Sequence, residues 1–262
     1  MQSLPQNPRS RAKSAVALWL TFAAGMVDII GYLAVYHLYA AHMTGETVEL
    51  GHYLLTGDWP TVAKAGAVIA CFVGGSLAGR VVIEVGARRR IRSIASVGLL
   101  LEALLLGLLI WLGTPLINLA HGHELSVGSV CWLLGLLAAA MGLQTATLTR
   151  IGSLTIHTTF VTGMLNKFAQ TFSEWLFWLH DESRKGEHLS AVFHKSREHS
   201  SFRTAMFVGL IWFFYLLGSV VGTWMSSRWS THSLYLPFAL VILAAGVDQF
   251  RPLSLEEEKD QV

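Results

Sequence analysis

Charged residues are scarce in this sequence. Asp, Glu, Lys and Arg together make up 14% of the 262 residues, whereas an ordinary soluble domain has about 25%. The apolar residues instead form blocks of about 20, which is the length of helix that crosses a bilayer core about 30 Å thick. The composition therefore excludes a soluble globular domain and predicts an all-α polytopic membrane protein.

Cysteine is also rare, and the sequence lacks metal and catalytic motifs. Cys71 and Cys131 both lie in apolar blocks, where thiols are poor candidates for a structural disulfide. Histidines fall mainly in predicted loops, and no HxxxH or Cys-rich ligand set lies within a predicted span. Phosphate-binding loops, nucleophile elbows and Ser/His/Asp spacings are absent. We therefore expect no metal, no cofactor and no enzymatic activity, and the dispersed basic residues exclude nucleic acid as a partner.

Eight helical segments are predicted, six apolar and two interrupted by polar groups. Lys and Arg remain on the cytoplasmic side of short loops, and the cluster "GARRRIRS" stays there only if neither polar segment crosses. We therefore expect both termini in the cytoplasm and interpret the polar segments as re-entrant helices, which enter and leave the membrane on one side. The spans are expected at 15–38, 61–85, 93–113, 125–148, 204–226 and 231–249, and the polar helices at 43–57 and 156–179.

The two halves of the chain resemble each other. The segments "AAGMVD" and "HMTGETVE" within 23–49 are echoed by "AAAMGLQ" and "TFVTGMLN" within 138–166, and "FVGGSLAG" (72–79) is echoed by "YLLGSVVG" (215–222). Each half would contain one span, one polar helix and two further spans. Because this number of crossings is odd, the pattern predicts an inverted repeat, a common plan of transporters.

The repeat also gives the predicted domain boundaries. The membrane part divides into a first repeat and a second repeat, and the second repeat carries one long hydrophilic loop. The boundaries are a cytoplasmic N-terminal segment at 1–14, the repeats at 15–115 and 125–250, the cytoplasmic loop at 180–203 and a cytoplasmic tail at 251–262.

The motifs "AAGMVDIIGY", "HMTGETVEL", "AAAMGLQTATL" and "TTFVTGMLNKFA" resemble those of the YoaK family of bacterial membrane proteins over most of residues 15–248. The resemblance implies a multi-pass protein of the bacterial inner membrane, and it supplies no activity. The chain departs from the family pattern at Glu46 and Thr145, where relatives typically carry asparagine.

Thr-Gly pairs begin both polar helices. Threonine is a good N-cap, and glycine permits close backbone approach. If both helix N-termini lie near the midplane, their N–H groups and dipoles favour an anionic or carbonyl-rich solute. In the alternative interpretation, these pairs only cap and pack the helices. The predicted substrate-binding residues are Asp28, Thr44, Gly45, Glu46, Gln144, Thr162, Gly163 and Asn166.

Two carboxyl groups lie in apolar spans. These are Asp28 and Glu102. Exposing a charged carboxyl group to lipid costs free energy, so carboxyl groups within spans usually face a cavity or a partner. Both are candidates for proton coupling, because burial disfavours the charged form of a carboxyl group. The alternative for Asp28 is a structural hydrogen bond to a neighbouring span, with Gln144 as a candidate partner.

These features together favour a membrane transporter. We expect it to carry a small polar or anionic solute through a midplane site formed by the two half-helix N-termini. The alternatives are a passive channel and a membrane scaffold or sensor that acts through the loop 180–203. The expected partners are the lipid bilayer, the solute and a second copy of the chain in a homo-oligomer.

Overall fold

The computed structural model of the protein describes residues 8–35, 37–120, 125–147, 150–151, 154–155, 158–185, 192, 195–197 and 199–250. The predicted tail at 251–262 and residues 1–7 of the predicted N-terminal segment lie outside these ranges. Nearly all of the described chain is helical, which confirms the predicted all-α class.

The helices differ in length and polarity much as the sequence predicts. The chain also contains a π-helical turn (Leu109–Gly113) and a 3₁₀ turn (Ser230–Leu234). Strand β1 (Arg150–Ile151) pairs antiparallel with β2 (Leu154–Thr155). The helices are α1 (Pro8–Ala34), α2 (Met43–Thr56), α3 (Trp59–Arg88), α4 (Ile94–Leu108), α5 (Thr114–Ala120), α6 (Val127–Thr147), α7 (Val161–Ser183), α8 (Ser200–Trp229) and α9 (Tyr235–Phe250).

Five helical stretches in the described part of the chain are long and apolar enough to cross a membrane. The last of them contains two predicted spans, because it includes both α8 and α9. The stretches are Ala12–Ala34, Trp59–Arg88, Ile94–Ile117, Val127–Thr147 and Ser200–Phe250. The protein is therefore a multi-pass membrane protein, and its predicted bilayer environment is confirmed.

Two pairs of long helices run parallel in close contact. In the first pair, Phe22 of α1 lies against Gly218 of α8, and Met26 lies against Gly222 one turn further along both helices. In the second pair, α3 and α6, contacts of the same kind join Gly75 to Ala139 and Gly79 to Leu143. Glycine allows these helices to approach at backbone distance.

The remaining contacts are antiparallel. Along α1 and α6, Leu20 accepts a hydrogen bond from Gln144, and Gly31 lies against Leu137. Helix α4 is antiparallel to both α6 and α9, as shown by the pairs Gly98–Thr147, Gly113–Leu133, Ser96–Asp248 and Gly107–Phe238. The long helices α1, α3, α4, α6, α8 and α9 therefore alternate in direction, as successive crossings of a bilayer require.

The hydrophilic connection between α7 and α8 is shorter than the predicted loop at 180–203. Helix α7 continues to Ser183, and α8 already begins at Ser200. Within the described part of this connection, Glu182 pairs with Lys185 at 2.5 Å and with Lys195 at 3.5 Å. The pKa of Glu182 lies below its usual value, mainly because its carboxylate accepts a hydrogen bond from Lys185.

The N-terminus of α4 is capped by a carboxylate from the other end of the chain. Asp248 of α9 is fully buried and accepts hydrogen bonds from the backbone N and the hydroxyl of Ser96, both at 2.7 Å. A carboxylate in this position satisfies a first-turn amide and interacts favourably with the helix dipole. This contact fixes α9 against the start of α4.

We predict that Asp248→Ala destabilises the protein by about 2 kcal/mol, because the replacement leaves a buried amide without its acceptor. The control is Asp58→Ala, which removes a partly exposed cap that accepts from Thr61 N at 3.3 Å and should cost clearly less stability, because water can replace the lost acceptor. Unfolding of the purified protein in detergent micelles measures both. Equal costs would show that Asp248 acts only as an ordinary helix cap.

Candidate functional site

Helices α2 and α7 begin without a side-chain cap. Their N-cap residues are His42 and Phe160, and neither makes a capping hydrogen bond through its side chain. The expectation that Thr44 and Thr162 are N-caps is wrong, because both threonines lie inside the first helical turn. Such a turn leaves its first backbone N–H groups without intrahelical partners, and these groups are available to a ligand.

Both uncapped N-termini open into one cavity of about 450 Å³. The cavity lies at the level of Phe72 and Tyr215, each close to the middle of a 30-residue helix. Four threonines provide hydroxyl groups, and aromatic and apolar side chains form most of the remaining wall. The lining residues are Ala41, His42, Met43, Thr44, Phe72, Thr145, Thr159, Phe160, Val161, Thr162 and Tyr215.

Most lining residues occur as pairs that correspond in the two halves of the sequence. Four consecutive positions before and within α2, residues 41–44, correspond to residues 159–162 at an offset of 118 positions. Phe72 and Tyr215 correspond at the second offset, 143 positions. The internal resemblance of the sequence is therefore concentrated around this cavity.

The predicted residues Gly45 and Gly163 do not line the cavity but allow its walls to form. A side chain on Gly45 would overlap the ring of His42, and one on Gly163 would overlap the ring of Phe160. At both helix starts, the N-cap ring therefore folds back over the first turn. The two Thr-Gly pairs therefore have the same role. In each pair, the glycine leaves space for the N-cap ring and the threonine faces the cavity.

Asp28 anchors the chain that leads into α2. Its carboxylate is buried and accepts hydrogen bonds from the backbone N of Ala41, at 2.7 Å, and from the hydroxyl of Tyr215. The suggested partner Gln144 does not bond to it. Asp28 therefore connects α1 and α8 to the non-helical segment at the cavity wall, and it satisfies an amide that unwinding leaves without a partner.

Glu46 anchors the same segment from the other side. Its side chain is 2% exposed, and Oε1 accepts a hydrogen bond from the backbone N of Tyr39 at 2.6 Å. The other oxygen is buried and without a hydrogen-bond partner among the described residues. Two carboxyl groups, those of Asp28 and Glu46, thus hold the backbone that precedes α2.

Gln144 performs the corresponding task in the second half with neutral groups. Its amide nitrogen donates to Leu20 O at 2.8 Å and to the hydroxyl of Thr158 at 3.1 Å. The neighbouring Thr145 shares a hydrogen bond of 2.6 Å with Thr159. The segment before α7 is therefore held by an amide and hydroxyl groups, whereas the segment before α2 is held by carboxyl groups.

Thr44 and Thr162 are the predicted residues that line the cavity, whereas two others, Asn166 and Glu102, neither line it nor hold a segment of its wall. Asn166 is exposed on α7. Glu102 is fully buried in α4, and both of its oxygens are without hydrogen-bond partners in the described part of the chain. A second cavity of about 490 Å³ between α7 and α8 includes Lys167 and Glu174, but it is lined by α7 and not by α2, and it does not include the N-terminus of α7.

Tyr215 is the most important site residue that residue-by-residue sequence reading missed. It lies in the apolar run "IWFFYLLGS", where a tyrosine is not distinctive by composition. The repeat could have identified it, because Tyr215 corresponds to Phe72, and the pair faces one cavity. Among the described residues, no group of three or more His, Cys, Asp or Glu side chains could hold a metal ion.

Comparisons with known proteins agree with this membrane architecture. A family described as "Protein of unknown function (DUF1275)" matches residues 16–247. The UPF0700 transmembrane protein YoaK of Bacillus subtilis (strain 168) is 23% identical over 240 residues, which cover 92% of this chain and 94% of the relative. No solved structure matches the chain. The predicted resemblance to the YoaK family is therefore confirmed.

Proposed function

Because the chain belongs to the DUF1275 family, whose description gives no function, we propose from its own geometry that it transports a small polar or anionic solute. In this proposal, α2 and α7 are re-entrant half-helices in the bacterial inner membrane, and both termini of the chain are cytoplasmic. The observation that carries the proposal is the single cavity that receives both half-helix N-termini.

The paired lining residues support an inverted repeat around a central site. Parallel α1 and α8 are matched by parallel α6 and α3, and each half contributes one half-helix to the cavity. Transporters with inverted repeats bind their solute near the midplane, between discontinuous helices. Alternating access then requires that one half moves relative to the other around a site that both halves share.

The wall favours a solute with hydrogen-bond acceptors and at most one negative charge. Each half-helix N-terminus provides the equivalent of about half a positive charge, so the two together match one carboxylate or a neutral carbonyl group. None of the described residues that line the cavity is Lys or Arg, and the carboxyl group of Asp28 lies directly behind Tyr215. These features disfavour multiply charged anions.

The apolar part of the wall indicates what the rest of the solute resembles. Phe72, Phe160, Val161 and Met43 provide contact surface without hydrogen-bonding groups, as is usual in sites for small molecules. The threonine hydroxyls orient the polar end. A short monocarboxylate, amide or alcohol with an apolar body fits this arrangement better than a polyhydroxylated sugar.

The proposal predicts that a bulky residue at Thr44 blocks transport. Thr44→Trp places an indole in the cavity, so uptake should fall by about tenfold or more, which corresponds to about 1.4 kcal/mol of lost binding free energy. The matched control is Thr47→Trp, one turn further along α2, at a residue that does not line the cavity. Proteoliposomes containing each variant would be tested with labelled acetate, lactate, glycerol and urea.

Counterflow separates a carrier from a passive channel in the same proteoliposomes. A carrier accelerates uptake of the labelled probe when unlabelled probe is loaded inside, because the loaded site returns faster, whereas a channel shows no such acceleration. Equal uptake by the variants Thr44→Trp and Thr47→Trp would contradict the central site. Uptake indistinguishable from protein-free vesicles for compounds of every tested class would contradict transport of this solute class.

A further inference from the structure

The described residues around Glu102 give this predicted site residue no structural task. Its side chain is 0% exposed, and neither carboxyl oxygen has a hydrogen-bond partner among the described residues. Buried polar groups in folded proteins are nearly always hydrogen-bonded, and a carboxylate within a membrane is costly without a partner. Asp28, by contrast, already accepts hydrogen bonds from two donors.

Among the described residues, the helices that pack against α4 provide no charge that could compensate Glu102. Helix α6 contains no Asp, Glu, Lys, Arg or His, and Asp248 of α9 is bonded to Ser96. Helix α3 approaches the start of α4 near Ile94. Helix α3 contains four charged residues. Arg80 is exposed, Glu84 and Arg88 pair with each other at 2.8 Å, and Lys64 lies towards the opposite end of the helix.

Gln144 is the polar group of α6 at the level of Glu102. The antiparallel contacts Gly98–Thr147 and Gly113–Leu133 set the register of α4 on α6, and this register places Glu102 opposite residues 143–144. The amide nitrogen of Gln144 is occupied, but its Oε1 is buried and without a partner in the described part of the chain. Oε1 of Gln144 therefore lacks a hydrogen-bond donor, and the carboxyl group of Glu102 would provide one once it is protonated.

We propose that Glu102 is the proton-binding group that couples transport to a proton gradient, through a hydrogen bond from its protonated carboxyl group to Oε1 of Gln144. Protonation fixes the Gln144 amide, which holds Thr158 before α7. Deprotonation removes the donor and loosens the entry to α7. The coupling role rests on the proposed transport function, whereas proton binding and its effect on α7 do not.

Cysteine labelling at the two half-helices tests this proposal without a known solute. Thr162→Cys or Thr44→Cys would be introduced into the full-length chain after replacement of Cys71 and Cys131 by alanine, and maleimide labelling would be followed across pH in micelles. Each rate is divided by the rate of the same cysteine in a Glu102→Gln background, so that ionisation of the thiol cancels. Glutamine has the shape of the protonated carboxyl group and retains a donor.

For Thr162→Cys, the labelling rate with Glu102 divided by the rate with Glu102→Gln is expected to be one at acidic pH. At alkaline pH we expect this ratio to rise several-fold. The variant Glu102→Leu, which has no donor, should label rapidly at every pH, and Thr44→Cys should keep a ratio of one throughout. A ratio of one at Thr162→Cys at all pH values would overturn the proposal, and so would an equal rise at Thr44→Cys. If the ratio changed when choline replaced sodium but did not change with pH, Glu102 would bind sodium and the proposal that it binds a proton would be overturned.

Discussion

Replacing Gly75 with alanine should destabilise the folded protein by about 3 kcal/mol, at the upper end of the cost of overpacking a well-packed interface. A Cβ at this position would overlap the carbonyl oxygen of Ala139 on α6. Backbone atoms cannot rotate away as a side chain can, so α3 and α6 would have to separate. The same argument applies to Gly218, whose Cβ would overlap the carbonyl oxygen of Phe22 on α1.

The neighbouring Gly74 provides a matched control. It lies on the same helix and is exposed, and a Cβ there would meet no atom within 4 Å. Gly74→Ala should therefore be neutral or stabilising, because alanine is favoured over glycine in a helix by about 1 kcal/mol. Thermal unfolding in detergent micelles measures both variants. Similar midpoints for Gly75→Ala and Gly74→Ala would contradict the close parallel packing of α3 and α6.

Replacing Asp28 with leucine should abolish transport and destabilise the protein by about 3 kcal/mol, because two buried donors lose their acceptor. These donors are the backbone N of Ala41 and the hydroxyl of Tyr215. Without the carboxylate, the segment before α2 loses its anchor, and we expect the N-terminus of α2 to shift from the cavity. Proteoliposome uptake and thermal unfolding would be measured together.

Two milder replacements isolate the two hydrogen bonds. Asp28→Asn retains an oxygen that accepts from Ala41, and Tyr215→Phe removes only the hydroxyl while preserving the cavity wall. Both should cost less stability than Asp28→Leu, and Tyr215→Phe should cost the least. If Asp28→Leu were as stable and active as the unmodified protein, the anchoring role of Asp28 would be refuted.

The positions of the helices could be predicted well from the sequence, because the length of a hydrophobic segment depends only on consecutive residues. The predicted span at 61–85 lies within α3, and the predicted polar helix at 43–57 coincides almost fully with α2. The second polar helix begins at Val161 instead of at residue 156. Residues 158 and 159 lie outside the helix and Phe160 is its N-cap, although the polarity of these residues resembles that of the helix that follows.

The partners of the site residues could not be predicted, because they depend on tertiary packing. Asp28 and Tyr215 are 187 positions apart, and only the parallel packing of α1 on α8 brings them together. The helical spacing of Glu46, Glu49 and His52 places them on one face, yet Glu46 is buried while the other two are exposed. Its side chain turns back to Tyr39 because an unwound segment in a buried place needs acceptors for its amides.

The measurement that tests the central cavity most directly is cross-linking between α2 and α7. A chain without Cys71 and Cys131 would carry Thr44→Cys and Thr162→Cys and be treated in native membranes with a short bifunctional thiol reagent. Because both positions face one cavity of about 450 Å³, we predict an efficient intramolecular cross-link, and a much weaker one for Thr47→Cys with Thr162→Cys. Absence of the first cross-link, or equal yields for both pairs, would contradict a shared site formed by the two helix N-termini.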